Sequence, residues 1–109
     1  MTKHWPPPTT KEQIVEELRK RDGGRCWLCD RPMDFKVEQP SPKAPTLEHL
    51  IPKCRNGPST IDNLVLCHQP CNLELGDRSP AEKIRMRDTR REEAWKAAMR
   101  KRIAALLIP

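Results

Sequence analysis

Apolar residues fall into three patterns along the chain, and each pattern predicts a different element. Ile14, Val15 and Leu18 lie on one face of a helical repeat, behind Thr10-Lys-Glu-Gln13, which has the form of a capping box. A helix over residues 10–22 follows, stopped by Gly23-Gly24. Asn63–Cys67 is an almost unbroken apolar run that reads as a strand, and Thr46–Ile51 reads as a second strand. The residues between them, Pro52 to Thr60 with Asn56-Gly57, make a loop longer than a two-residue hairpin turn. Trp95, Met99, Ile103 and Leu106 recur every three or four residues, as expected for a helix docking on a small core.

The polar positions set the remaining boundaries. Pro70 at a first helical turn opens a short helix that ends near Gly76. Ser79-Pro-Ala-Glu82 combines an N-cap, an N1 proline and a capping glutamate, so another helix starts there. Thr89-Arg-Arg-Glu92 is a second cap signature and predicts a break or restart. Residues 30–45 hold Pro32, Pro40, Pro42 and Pro45, and read as a loop touching a short strand around Asp34–Glu38. Residues 1–9 are proline-rich and expected to be loose. The order of elements is α+β, in a single domain over 1–109: a core at 25–79, an N-terminal helix at 10–22 and C-terminal helices at 80–107.

Composition narrows the picture. With three Trp, one Phe, no Tyr, a third of the residues charged and a mean hydropathy of −0.82, large core side chains are scarce. A structural metal would compensate for so small a core. No run of about 18 apolar residues occurs, so no membrane span is expected. The N-terminus lacks an apolar signal-peptide core, and an intracellular, cytoplasmic protein is expected. The net charge of +6 is uneven: residues 80–109 carry nine positive and four negative side chains. A basic block of this kind implies a polyanionic partner, most simply nucleic acid.

The five cysteines read as metal thiols plus one spare rather than as disulfides. Cys26-Trp-Leu-Cys29 can give two thiolates to a tetrahedral zinc from one tight turn. Cys67, His68 and Cys71 are the pool for the other two ligands. His68 and Cys71 are separated by two residues, Cys67 and Cys71 by three. Adjacent Cys67 and His68 point different ways from an extended segment, so only one of them is expected to coordinate. Cys54 is assigned no ligand role. Structural zinc binds with an apparent free energy of about 10–16 kcal/mol, which can exceed the whole net stability of a small domain.

Glu48-His49 in the first strand, Asn63 opening the second, and Cys71-Asn72 at the short helix together resemble the HNH endonuclease motif, over roughly Arg25 to Ser79. The resemblance implies a ββα-metal finger with a structural zinc site, hydrolysing DNA phosphodiester bonds with one divalent cation. On that pattern His49 is the general base, and Glu48 and Asn72 are ligands to a catalytic Mg²⁺ or Mn²⁺. Asn63 holds the loop that bears the histidine. The family places a zinc Cys or His five positions after that asparagine, which favours His68 over Cys67 as the fourth ligand beside Cys26, Cys29 and Cys71. Glu48 is one methylene longer than the family's usual Asp, and Leu75 stands where many relatives have Lys. Strict alternation would separate Glu48 from His49 unless the strand ends or distorts there.

Lys53, Arg55, Arg85, Arg87, Arg90 and Arg91 are candidate phosphate contacts with DNA. Small free-standing relatives often belong to phages or prophages, so the same resemblance implies a phage setting and a partner in DNA packaging. A homodimer would allow both strands to be cut in one encounter, with the Trp95–Leu107 stripe as a candidate surface. The alternative reading is a zinc-stapled nucleic-acid-binding module without catalysis. A third is a structural partner in a larger assembly.

Overall fold

A computed structural model describes residues 6–38 and 40–107, and the first five residues of the proline-rich start lie outside that range. Helix α1 runs Lys11–Asp22. The Thr10 hydroxyl accepts from Gln13 N at 3.1 Å, and the Gln13 side chain accepts from Thr10 N at 3.2 Å, so the capping box closes as its spacing predicts. Gly23, at φ 83°, ends the helix and donates to the Arg19 carbonyl at 2.8 Å. Leu18 is the buried residue of this helix.

Two antiparallel strands, β1 (Pro45–His49) and β2 (Leu64–His68), pair Leu47 with Leu66 and His49 with Leu64. Helix α2 (Gln69–Leu75) follows β2 directly, with proline in its first turn and Gly76 after its end, to complete a ββα unit. The fold is therefore α+β, as expected. Leu18, Leu28, Met33, Leu64, Val65, Leu66 and Leu75 form the buried core together with Cys26 and Cys67. Leu75, at the family's usual lysine position, is thus a core residue.

Both outer edges of this short sheet are covered by side chains or turns from other elements, which removes the hazard of an open edge. Arg21 reaches from α1 to the Leu64 carbonyl at 2.9 Å, and Trp27 N donates to the Leu66 carbonyl at 2.9 Å. On β1, the Leu47 and His49 carbonyls accept from Asn72 at 2.9 Å and from Lys83 at 2.6 Å.

Three expectations need correction. Asp34–Glu38 is not a strand, because Asp34 N turns to the Lys43 carbonyl at 2.8 Å and residues 35–37 bend; the local pairing is a bridge between Arg25 and Pro32. Thr89-Arg-Arg-Glu92 does not break the chain: α3 is continuous over Pro80–Leu107, since nothing in that stretch obstructs a helix already under way. The Trp95 stripe does not dock on the core. Trp95 is 64% exposed, Ile103 52% and Leu106 84%. A helix of 28 residues is about 42 Å long at 1.5 Å per residue, more than a two-stranded sheet can cover. Among the described residues, no helix is long and apolar enough to cross a membrane.

Leu18→Ala should lower unfolding free energy by about 2–5 kcal/mol in urea titrations, through lost burial and a residual cavity. Ile103→Ser should change it by no more than about 0.5 kcal/mol, as expected of an exposed side chain.

Candidate metal centre and hydrolytic site

The turn after α1 is built to aim sulfur atoms. Cys26 N donates to the Arg31 carbonyl and Asp30 N to the Cys26 carbonyl, both at 2.9 Å, with Asp30 in the left-handed region at φ 61°. This tight loop faces the junction of β2 and α2. Ligand atoms of Cys26, Cys29, His68 and Cys71 there lie within 4.8 Å of one another. Nδ1 of His68 is 3.4 Å from Cys29 Sγ, and Nε2 contacts the Pro32 carbonyl at 3.1 Å. A backbone carbonyl behind the far ring nitrogen fixes the tautomer and orientation, as is usual for metal-bound imidazole.

The donor chemistry also fits a cation. Burial first, and then the charge on Cys26, push the Cys71 thiol up to about 12. Burial likewise raises Cys29, with the Cys26 charge adding to it. Three sulfurs packed this closely ionise together only if positive charge sits among them, which zinc in a tetrahedral site supplies. Cys67 lies outside this group. It is fully buried and hydrogen-bonds to Cys26, helping to hold that thiol at about 3. His68 N donates to the same sulfur at 3.4 Å. The sequence left Cys67 and His68 as alternatives, and the geometry groups His68 with the three cysteines.

Asn63 sits in a 3₁₀ turn, Ile61–Asn63, just before β2 and is buried. Its Oδ1 accepts from Ile51 N at 2.9 Å, and its Nδ2 donates to the Ile51 carbonyl at 3.1 Å and the Pro58 carbonyl at 2.9 Å. One amide thus ties both ends of the loop that follows β1. Gly57 fits inside this loop because a Cβ there would meet the Ile51 carbonyl oxygen at 1.7 Å. The folded loop brings Ser59 Oγ to 2.9 Å from His49 Nε2. Burial, followed by the charges of Lys53 and Lys83, pulls the His49 pKa below its usual value, which favours the neutral ring.

Glu48 has a different environment. It is 4% exposed, and its Oε1 is 3.3 Å from Lys83 Nζ, which is fully buried at the base of α3. Its Oε2 is buried without a hydrogen-bond partner. Burial raises the Glu48 pKa, and Lys83 opposes that shift. Asn72 uses Nδ2 on Thr46 Oγ1 at 3.0 Å and the Leu47 carbonyl at 2.9 Å, binding α2 to β1. Amide and carboxylate oxygens of this kind are hard donors, the type that suits Mg²⁺ or Mn²⁺. β1 ends at His49, so the imidazole occupies the strand terminus while Glu48 is held under α3.

The candidate phosphate contacts do not share one surface. Lys53 and Arg55 are exposed in a 3₁₀ turn just after the histidine strand. Arg90 pairs with Glu74, and with Arg85 lines a cleft beside α2. Arg87 lies over the Trp27 ring, and Arg91 donates to the Trp27 carbonyl at 3.0 Å. Sequence reasoning missed Ser59 and Lys83. Neither sits in a motif, and a lysine among the charges of α3 reads as solvated until its partner across the fold is known.

Cobalt(II) added to chelator-stripped protein should give the charge-transfer absorption of a thiolate-bound tetrahedral ion. Cys71→Ser should weaken that band, whereas Cys67→Ser should keep it. Asn63→Ala should lower stability by about 1–3 kcal/mol in denaturant titrations, because buried partners around Ile51 lose their amide.

A comparison with curated proteins finds no match. Residues 26–78 match the family model described as HNH endonuclease, a span that contains the four clustered ligands, both strands and α2. Over that segment the chain is similar to the HNH endonuclease family.

Proposed function

We propose that this protein is a metal-dependent DNA endonuclease that hydrolyses phosphodiester bonds, with His49 as general base. The observation that carries this reading is the held imidazole. His49 ends β1, its Nε2 meets Ser59, and the loop supplying Ser59 is clamped by the buried amide of Asn63. With Nε2–H donating to Ser59 Oγ, the Nδ1 lone pair is left to take a proton from the attacking water. A base held in its neutral form near working pH suits that role.

Cys26, Cys29, His68 and Cys71 hold a structural Zn²⁺ in this reading. Glu48 through Oε2 and Asn72 through its amide oxygen would hold the catalytic cation, Mg²⁺ or Mn²⁺, which when bound stabilises charge on the phosphate and the departing 3′ oxygen. Lys83 sits on the other oxygen of Glu48 and opposes the upward push that burial gives its pKa. Lys53 and Arg55 lie immediately after the histidine strand, where they can take phosphates flanking the scissile one.

A second reading has one observation in its favour. The ammonium of Lys83 already balances Glu48, as it would in a nucleic-acid-binding module that never loads a catalytic cation.

Nicking of supercoiled plasmid with Mg²⁺ or Mn²⁺, with and without chelator, separates the two. His49→Ala should lower the rate by about 10²–10⁴-fold while zinc content and circular dichroism stay unchanged. Plasmid binding without cleavage by the unaltered protein, under every divalent ion tried, would establish the binding module instead.

A further inference from the structure

Beyond the hydrolytic residues, α1, the Cys26–Cys29 turn and α3 enclose a cavity of about 310 Å³. Arg21, Arg25, Arg87 and Arg91 line it together with Trp27, against only two carboxylates, Asp22 and Asp30. The four arginines are not equally free. Arg21 is spent on Asp22 and on the Ile61 and Leu64 carbonyls, at 2.6 to 2.9 Å. Arg25 gives one N–H to the Asp30 carbonyl at 2.7 Å. Arg91 gives one to the Trp27 carbonyl and stands 3.9 Å from Asp30 Oδ1. Arg87 stacks on the Trp27 ring, 4.9 Å from its centroid. Nε of Arg87 and Nε of Arg91 are both buried without an acceptor.

Each guanidinium carries five N–H donors in a rigid fork and no acceptor. Most of those of Arg25, Arg87 and Arg91 are uncommitted, and two point into protein that offers them nothing. Guanidinium forks match the tetrahedral oxygens of phosphate better than any uncharged ligand, and stacking on an indole holds one fork in place. The surplus of positive charge selects an anion.

We infer that this cavity is a second phosphate-binding site, which seats the DNA backbone away from the scissile bond. The inference rests on the DNA reading above and adds to it a place on the fold. The cavity opens at the outer edge of β2, whose Leu64 and Leu66 carbonyls are taken by Arg21 and Trp27, whereas His49 terminates β1. Lys83, Arg87 and Arg91 are spaced four apart on one stripe of α3. That stripe leads from Glu48 to Trp27, so one helix links the hydrolytic residues to the anchor.

The test uses full-length His49→Ala protein and a fluorescent duplex oligonucleotide, with anisotropy measured across a salt series. Adding Arg25→Gln and Arg87→Gln should weaken binding at least about tenfold and reduce the slope of log K against log salt by about one to two, as expected when one or two phosphate contacts are lost. Arg100→Gln with Arg102→Gln, the same charge change on the exposed end of α3, should do markedly less. Equal weakening by both pairs overturns the cavity assignment while leaving DNA binding intact. Failure of the parent protein to bind DNA overturns the nuclease reading itself. Phenylglyoxal footprinting of the unsubstituted protein decides independently of how the variants fold. Arg25 and Arg87 should be protected by the duplex; protection by inorganic phosphate but not by DNA, or by neither, overturns the proposal.

Discussion

Three thiols and an imidazole brought within 4.8 Å are the constraint from which the rest of this fold is hung. Cys26 and Cys29 come from the turn after α1, His68 from the end of β2, and Cys71 from the first turn of α2. Apolar contact alone would hold these pieces weakly, because the buried core is small and includes two of the cysteines. Once Cys71 is fixed, its neighbour Asn72 is fixed with it. That amide then grips Thr46 and Leu47, and the strand bearing Glu48 and His49 is located by a chain of polar contacts running back to the sulfur cluster.

The interior of the protein is accordingly polar where larger domains would be greasy. Asn63 uses three hydrogen bonds to close the loop behind His49, and Lys83 is buried whole to meet Glu48 and the His49 carbonyl. Such groups are costly to bury and demand good partners, but they specify one arrangement more sharply than interchangeable hydrocarbon contacts do. Each fixes the position of Glu48, of His49 or of the loop beside them rather than merely filling space.

The local elements were legible in the residues because their signals are local. A capping box, a glycine stop, a proline-opened helix and a Cys-x2-Cys turn each depend on neighbours a few positions away, and all four are present. Periodicity on α3 described a face but not what covers it, so Trp95 and Ile103 were expected in a core that ends before it reaches them. Thr89-Arg-Arg-Glu92 carries a cap pattern, but a pattern can start a helix only where the chain is not already helical. Cys67 and His68 are alternatives on local grounds, since extended neighbours offer two directions; the family spacing favours His68, and tertiary geometry groups it with the sulfurs. Lys83 was illegible because its meaning lies 35 positions away at Glu48.

Gly57 carries a consequence for how this chain can vary through descent. The backbone of Ile51 and Pro52 occupies the volume where any side chain at that position would begin. Even alanine is shut out, so the sequence is frozen at this point. Close descendants should all keep a lone hydrogen in place of a side chain at position 57.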